Sequence, residues 1–184
     1  MKASDTYKPL RQGLKPVLNS LGFSRVKSSP PSYAKPGGHG HVCLWFKVRS
    51  AGWDYALGGE FVGALQSGFD ANPGIEWMAG KFASSRIWRL LDNSSRTAAV
   101  KIHNSIVSKF SHPPEDHWLY TLDSAVVAST LDDLKPLVLA PSIEAGFWFR
   151  YFDSDDVLKW AHFLCEYLPE ITNRFECSLH DVES

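Results

Sequence analysis

Aromatic and cationic side chains alternate along two stretches of the chain, HVCLWFKVR at 41–49 and IEAGFWFRY at 143–151. In an extended backbone successive side chains point to opposite faces. Val42, Leu44, Phe46 and Val48 therefore share one face of the first stretch, and Ile143, Ala145, Phe147, Phe149 and Tyr151 share one face of the second. Trp45, Lys47, Arg49, Trp148 and Arg150 are left on the other side. Trp and Arg combine a large contact area with a fixed polar geometry, so a sheet face carrying them suits recognition of another protein. Aromatics and cations on a sheet can also stack the bases of single-stranded RNA and pair with its phosphates. The formal charge of −1, from 19 Lys and Arg against 20 Asp and Glu, counts against a nucleic-acid partner. The same residues also suit a structural role, with the two indoles stacked together or lying beneath the 66–83 stretch, and with arginines over them through cation–π contact.

Other groupings point less clearly to chemistry. His39, His41 and Cys43 alternate and would share a strand face. The histidines flank Gly40 beside a Ser/Pro/Gly stretch, and no spacing fixes a fourth ligand, so the expectation is a loop-to-strand junction. His112, Glu115 and His117 in HPPEDH sit among two prolines without the helical spacing of a zinc protease. No metal and no other cofactor is expected. Asp54 and Glu60 have one strand parity, but Gly58 and Gly59 between them suggest a bulge, and solvated or salt-bridged carboxylates are the expectation. There is no G-x-S-x-G elbow, no phosphate loop and no G-x-G-x-x-G, and no catalytic residue is assigned.

These residues need a scaffold. At 184 residues the chain fits one domain that buries about 70% of the surface its unfolded form exposes. Cys43, Cys165 and Cys177 are odd in number and widely spaced, which argues against a disulfide framework and fits a reducing cytoplasm. MKASDTYKPLRQG lacks the apolar core of a signal peptide, and no run approaches the ~20 apolar residues of a membrane span, so a cytoplasmic location without membrane contact is expected.

Leu10, Leu14, Val17, Leu18 and Leu21 predict a helix over 5–21 that stops at Gly22, kinked or split at Pro16. A short strand is expected at 23–26 and a flexible loop over 27–40. The strand at 41–49 turns at 50–52 into a second strand over 53–65, forming a hairpin, and 66–74 reads as a loop. Short helical patterning covers 84–91, a longer helix capped at 93–95 runs to about Phe110, and another spans 123–139 despite Pro136. The strand at 143–151 breaks at Asp153, Ser154, Asp155 and Asp156, which suit a helix start. The stripe of Val157, Trp160, Ala161, Leu164 and Leu168 follows until Pro169 interrupts it. The predicted class is α+β, an antiparallel sheet with helices mainly on one face.

LNSLGF at the end of the first helix, the LWFKV strand and the closing FWFRYFDSDDVLKWAHFLCEYLP together resemble a bacterial family of uncharacterised small α+β domains. Members pair a Leu-rich first helix ending in Gly-Phe with strands and close on an acid-capped helix. Domains of this kind are similar to small proteins found near toxin or defence genes, so the resemblance implies a non-catalytic, immunity-like accessory protein that binds another protein, such as a toxin. The alternatives are a single-stranded RNA-binding module and an enzyme of unknown class.

Overall fold

A computed structural model of the protein describes residues 2–26, 31–38, 40–49, 53–68, 83–110 and 147–180. The expected helix over 123–139 and residues 143–146 lie outside them, as do His39, His112, Glu115 and His117.

Helix α1 (Ala3–Ser20) starts where the Lys2 amide donates to the Asp5 carboxylate at 2.9 Å. It stops at Gly22, whose φ of 77° suits a residue without Cβ, and the Phe23 amide donates to the Leu18 carbonyl at 2.9 Å. Leu10, Leu14 and Leu18 are buried along its inner stripe. Pro9 and Pro16 lie inside it, yet α1 is one helix and not two pieces. Burial of the leucine stripe offsets the amide bond that Pro16 cannot make. The helix also crosses the C-terminal helix closely. A Cβ built on Gly13 would stand 2.6 Å from the Cβ of Ala161. Gly13→Val is therefore expected to separate the two helices and cost about 1–3 kcal/mol, read as a lower urea midpoint at unchanged m-value.

The strands are β1 (Ser24–Val26), β2 (Ser32–Gly37), β3 (Gly40–Val48), β4 (Gly59–Gly68), β5 (Ser84–Arg86) and β6 (Phe149–Tyr151). They form an open antiparallel sheet in the order β1-β2-β3-β4, with β5 and β6 both paired to the far side of β4. β6 occupies 59–61 of that edge and β5 occupies 64–66. The expected β3–β4 hairpin is present, with Phe46 opposite Gly63 and Lys47 opposite Val62.

Several boundaries differ from expectation, and of the described part of the strand expected over 143–151 only Phe149–Tyr151 is paired as a strand. Ser32–Gly37, placed within a loop by its Pro and Gly content, is strand β2. Pro36 is accommodated because β1 pairs only with 32–34, so the end of β2 has an open edge that does not require its amide. Strand β4 begins later than expected and runs through Gln66, Ser67 and Gly68, while 53–58 is closed locally by paired Asp54–Gly58 backbone bonds. The 84–91 stretch is half strand, β5, and half the short helix α2 (Ile87–Leu90).

Helix α3 (Asn93–Val107) is capped by Asp92, one residue before the expected cap, whose carboxylate accepts from the Ser95 amide at 2.7 Å. Helix α4 (Ser154–His180) opens as expected at the acidic turn. Asp153 accepts from the Asp156 amide at 2.9 Å and Asp156 accepts from the Phe152 amide at 3.0 Å, a reciprocal cap. It continues past Pro169, which is exposed, because Leu168, Ile171 and Phe175 on either side of it are buried.

The described helices cover one sheet face. Phe61 and Phe149 ring centroids are 5.1 Å apart, Trp160 of α4 lies 4.9 Å from Phe149, and Trp88 stacks on Phe147 at 4.5 Å. Helix α1 is tied to the same layer through the Tyr7 hydroxyl, which accepts from the Val48 amide at 3.1 Å. The molecule is thus α+β, as the order of its patterns predicts.

The α4 start also carries an ion cluster. Lys109, just past α3, reaches Asp153 at 2.6 Å and the fully buried Asp156 at 2.7 Å. Burial alone would raise the Asp153 carboxyl, but Lys109 and the Asp156 amide outweigh it and hold its pKa below 3.8. Burial alone would lower the Lys109 ammonium, and the two carboxylates outweigh that, holding it above 10.5. A depressed carboxyl contributes stability that is complete above its unfolded pKa and is lost as pH falls through the folded one. A raised ammonium contributes stability that is complete below its unfolded pKa and is lost as pH rises through the folded one. The cluster therefore stabilises across the neutral range and weakens in acid below the ordinary carboxyl value and in alkali above the ordinary Lys value. Lys109→Met should cost about 1 kcal/mol near neutrality, a figure kept small because Lys109 is over a third exposed, and less near pH ~2. Urea midpoints across pH would check it.

Candidate functional site

The sheet face turned away from the helices carries every one of the five residues singled out in the sequence. The register sets Trp45 opposite Ala64, Lys47 opposite Val62 and Arg150 opposite Glu60, and the Arg49 amide donates to the Glu60 carbonyl at 2.9 Å. Trp148 precedes β6 with the same parity as Arg150.

Their surroundings differ. Lys47 is exposed, and Arg49 keeps 58% of its side chain accessible. Trp45 and Trp148 are half-buried. Arg150 is only 6% exposed, so the strand parity that makes it a partner of Trp148 does not make it a surface group. Cys43, Val62, Ala64 and Gln66 in the middle of the face are buried too. The accessible part of this face is its Lys47–Arg49 end.

Glu60 organises that end. Its Oε2 accepts from Arg49 Nη1 at 2.6 Å, and its Oε1 accepts from Arg150 Nη2. Arg150 also donates through Nη1 to the Leu57 carbonyl. Burial holds the Arg150 pKa below the ordinary arginine value, with the Glu60 charge offsetting part of the effect and the neighbouring Arg49 charge adding to it. One carboxylate is thus bonded to two guanidiniums, a buried one that fixes it and an exposed one that it positions. Asp54 is used differently. Its Oδ1 accepts from the amides of Ala56 at 2.8 Å and Leu57 at 3.0 Å, holding the turn that presents the Leu57 carbonyl to Arg150. Glu60 is salt-bridged, one of the two expected outcomes, whereas Asp54 is held by backbone amides.

The cation–π contact also occurs, with a different partner. The Arg86 guanidinium lies 5.6 Å from the Trp148 ring, and Arg86 stands opposite Ala64 on the same face. Arg86 was missed because 84–91 reads as helical, which assigns it no sheet parity. Glu60 was noticed only as one of a carboxylate pair. An acid facing the cation-bearing strand at the antiparallel register is the signal that finds it.

Comparison with protein-family models, with curated proteins and with solved structures finds no match. Among the described residues no three His, Cys, Asp or Glu side chains come together as a metal site, and His41 stands half-buried beside the buried Cys43. No described helix is long and apolar enough to cross a membrane. What this face offers chemically is two accessible cations beside two partly accessible indoles, on a strand whose position is fixed by buried ion pairing.

Proposed function

We propose that the protein is a non-catalytic protein-binding domain, an immunity-like accessory factor of the bacterial toxin or defence type, acting in the cytoplasm by direct contact with a toxin. Contact is made through the Lys47–Arg49 end of the second sheet face. The observation carrying this reading is the Arg49–Glu60–Arg150 arrangement, which holds an exposed guanidinium in a set position on the same face as Trp45 and Lys47. Guanidiniums and indoles presented on rigid elements are the groups that anchor interfaces, because little conformational freedom is lost when they bind.

The test is co-expression with the product of the neighbouring gene, scoring growth protection and co-purification. Lys47→Glu combined with Arg49→Glu should abolish both while leaving the melting temperature within a few degrees, since both side chains are exposed. Trp148→Ala should weaken co-purification. Full protection by both variants would remove this face from the interaction. Capture of an oligonucleotide in place of the protein would move the reading to single-stranded RNA.

A further inference from the structure

A groove of about 590 Å³ lies where the helix layer ends before the sheet does, between α1 and the outer strands β1 and β2. Lys8, Arg11 and Lys15 line its helical wall at i, i+3 and i+7, one stripe spanning about 10 Å of helix rise. Arg25 of β1 stands on the other wall, on the same sheet face as Tyr33, which it opposes in the register. Among the described residues no acidic side chain lines the groove and no carboxylate pairs with any of these four cations. Burial raises the Tyr33 hydroxyl, while the Arg11 and Arg25 charges pull it down, so both guanidiniums act on the same floor. Four cations without a carboxylate partner among the described residues, gathered around one concavity, are unusual in a chain whose formal charge is −1. Their mutual repulsion is a standing cost that an anion would relieve.

The floor narrows the choice of anion. Phe23 is 3% exposed and Tyr33 7%, so neither aromatic ring at the floor offers a free face for a base to stack on. The four cations supply charge, and Gln12, Asn19 and Ser24 can add hydrogen bonds at the rim. An extended acidic peptide places same-face carboxylates about 7 Å apart, so about two would meet a stripe of this length. A phosphate group brings a charge of about −1.5 to −2 and three acceptor oxygens to one point, matching both the Arg forks and the Lys point charges. The volume lies within the range of small-molecule sites.

We propose that this groove binds a small ligand carrying two or more phosphate groups, of nucleoside-polyphosphate size. It is separate from the face assigned to protein contact and stands or falls independently of it. Calorimetric titration of the full chain with tripolyphosphate, the four nucleoside triphosphates, a uridine decamer and a glutamate decamer tests it. Tripolyphosphate and at least one nucleoside triphosphate should bind in the micromolar range. Arg11→Gln combined with Arg25→Gln should weaken binding by about 30-fold or more, with the melting temperature of the free protein not lowered. Raising salt from about 50 to 200 mM should weaken binding by about 10-fold. Lys47→Glu should leave binding as it is. Absence of phosphate binding, or binding that the double variant retains, would overturn the proposal. The glutamate decamer binding as tightly as the triphosphates would overturn it in favour of an acidic protein segment. The uridine decamer binding more tightly would overturn it in favour of a nucleic-acid strand.

Discussion

Trp160→Ala should lower the unfolding free energy by about 4 kcal/mol and the melting temperature by about 10 °C. The indole is fully buried on the first turns of α4. It lies 4.9 Å from Phe149, 5.9 Å from Phe147 and 5.9 Å from Phe163, so its loss opens a cavity touching strand and helix at once. It is also bonded, with Nε1 donating to the Arg150 carbonyl at 2.7 Å. Trp160→Phe keeps most of the packing while losing one ring and the donor, so a smaller loss of about 1–2 kcal/mol is expected. Thermal unfolding of the three proteins checks the order. A loss below about 1 kcal/mol for the alanine variant would show that the cavity collapses without cost.

Glu60→Ala is the second large effect, expected at about 3–5 kcal/mol because it leaves the Arg150 guanidinium buried without its counter-charge. Leu57 still offers a carbonyl, which cannot neutralise the charge. The other half of the arrangement should matter far less. Arg49 is more than half exposed, so Arg49→Ala is expected to cost under about 1 kcal/mol. Removing both members of the buried pair, as Glu60→Ala with Arg150→Met, should recover most of the loss, because no charge then remains buried alone. A double-mutant cycle in urea measures this. Equal losses from Arg49→Ala and Glu60→Ala would contradict the division between a fixing and a presented arginine.

The chain declares its long elements clearly and its short ones poorly. Alternation along 41–49 identifies β3 because one face is continuously apolar, and the leucine stripe of α1 and the acid-capped start of α4 are equally legible. Strand β2 is hidden since Ser, Lys, Pro and Gly are poor strand formers, and its place depends on pairing with β3, which no local pattern records. β5 is hidden for the same reason, with three residues running straight into a helical turn. For the candidate site, parity correctly gathers Trp45, Lys47, Arg49, Trp148 and Arg150 on one face. Parity does not report depth. Arg150 is buried because Glu60 faces it across a strand pair formed by residues distant in sequence. The groove beside α1 was not found at all, since its cations come partly from a helix face and partly from β1, and only the packing of those two elements closes it.

The two short strands that share one side of β4 carry a consequence for how the molecule is made. As the chain leaves the ribosome, β5 can dock on 64–66 early, but the 59–61 segment beside it waits for β6, which emerges only after α2 and α3. During that interval Phe61 belongs to an open edge, the kind of backbone another strand can capture. Local closure through Asp54 and Gly58 keeps the start of β4 folded back on itself meanwhile. The arrival of β6 and α4 brings Arg150 to Glu60 and Trp160 to the core together, so finishing the sheet and seating α4 are a single event.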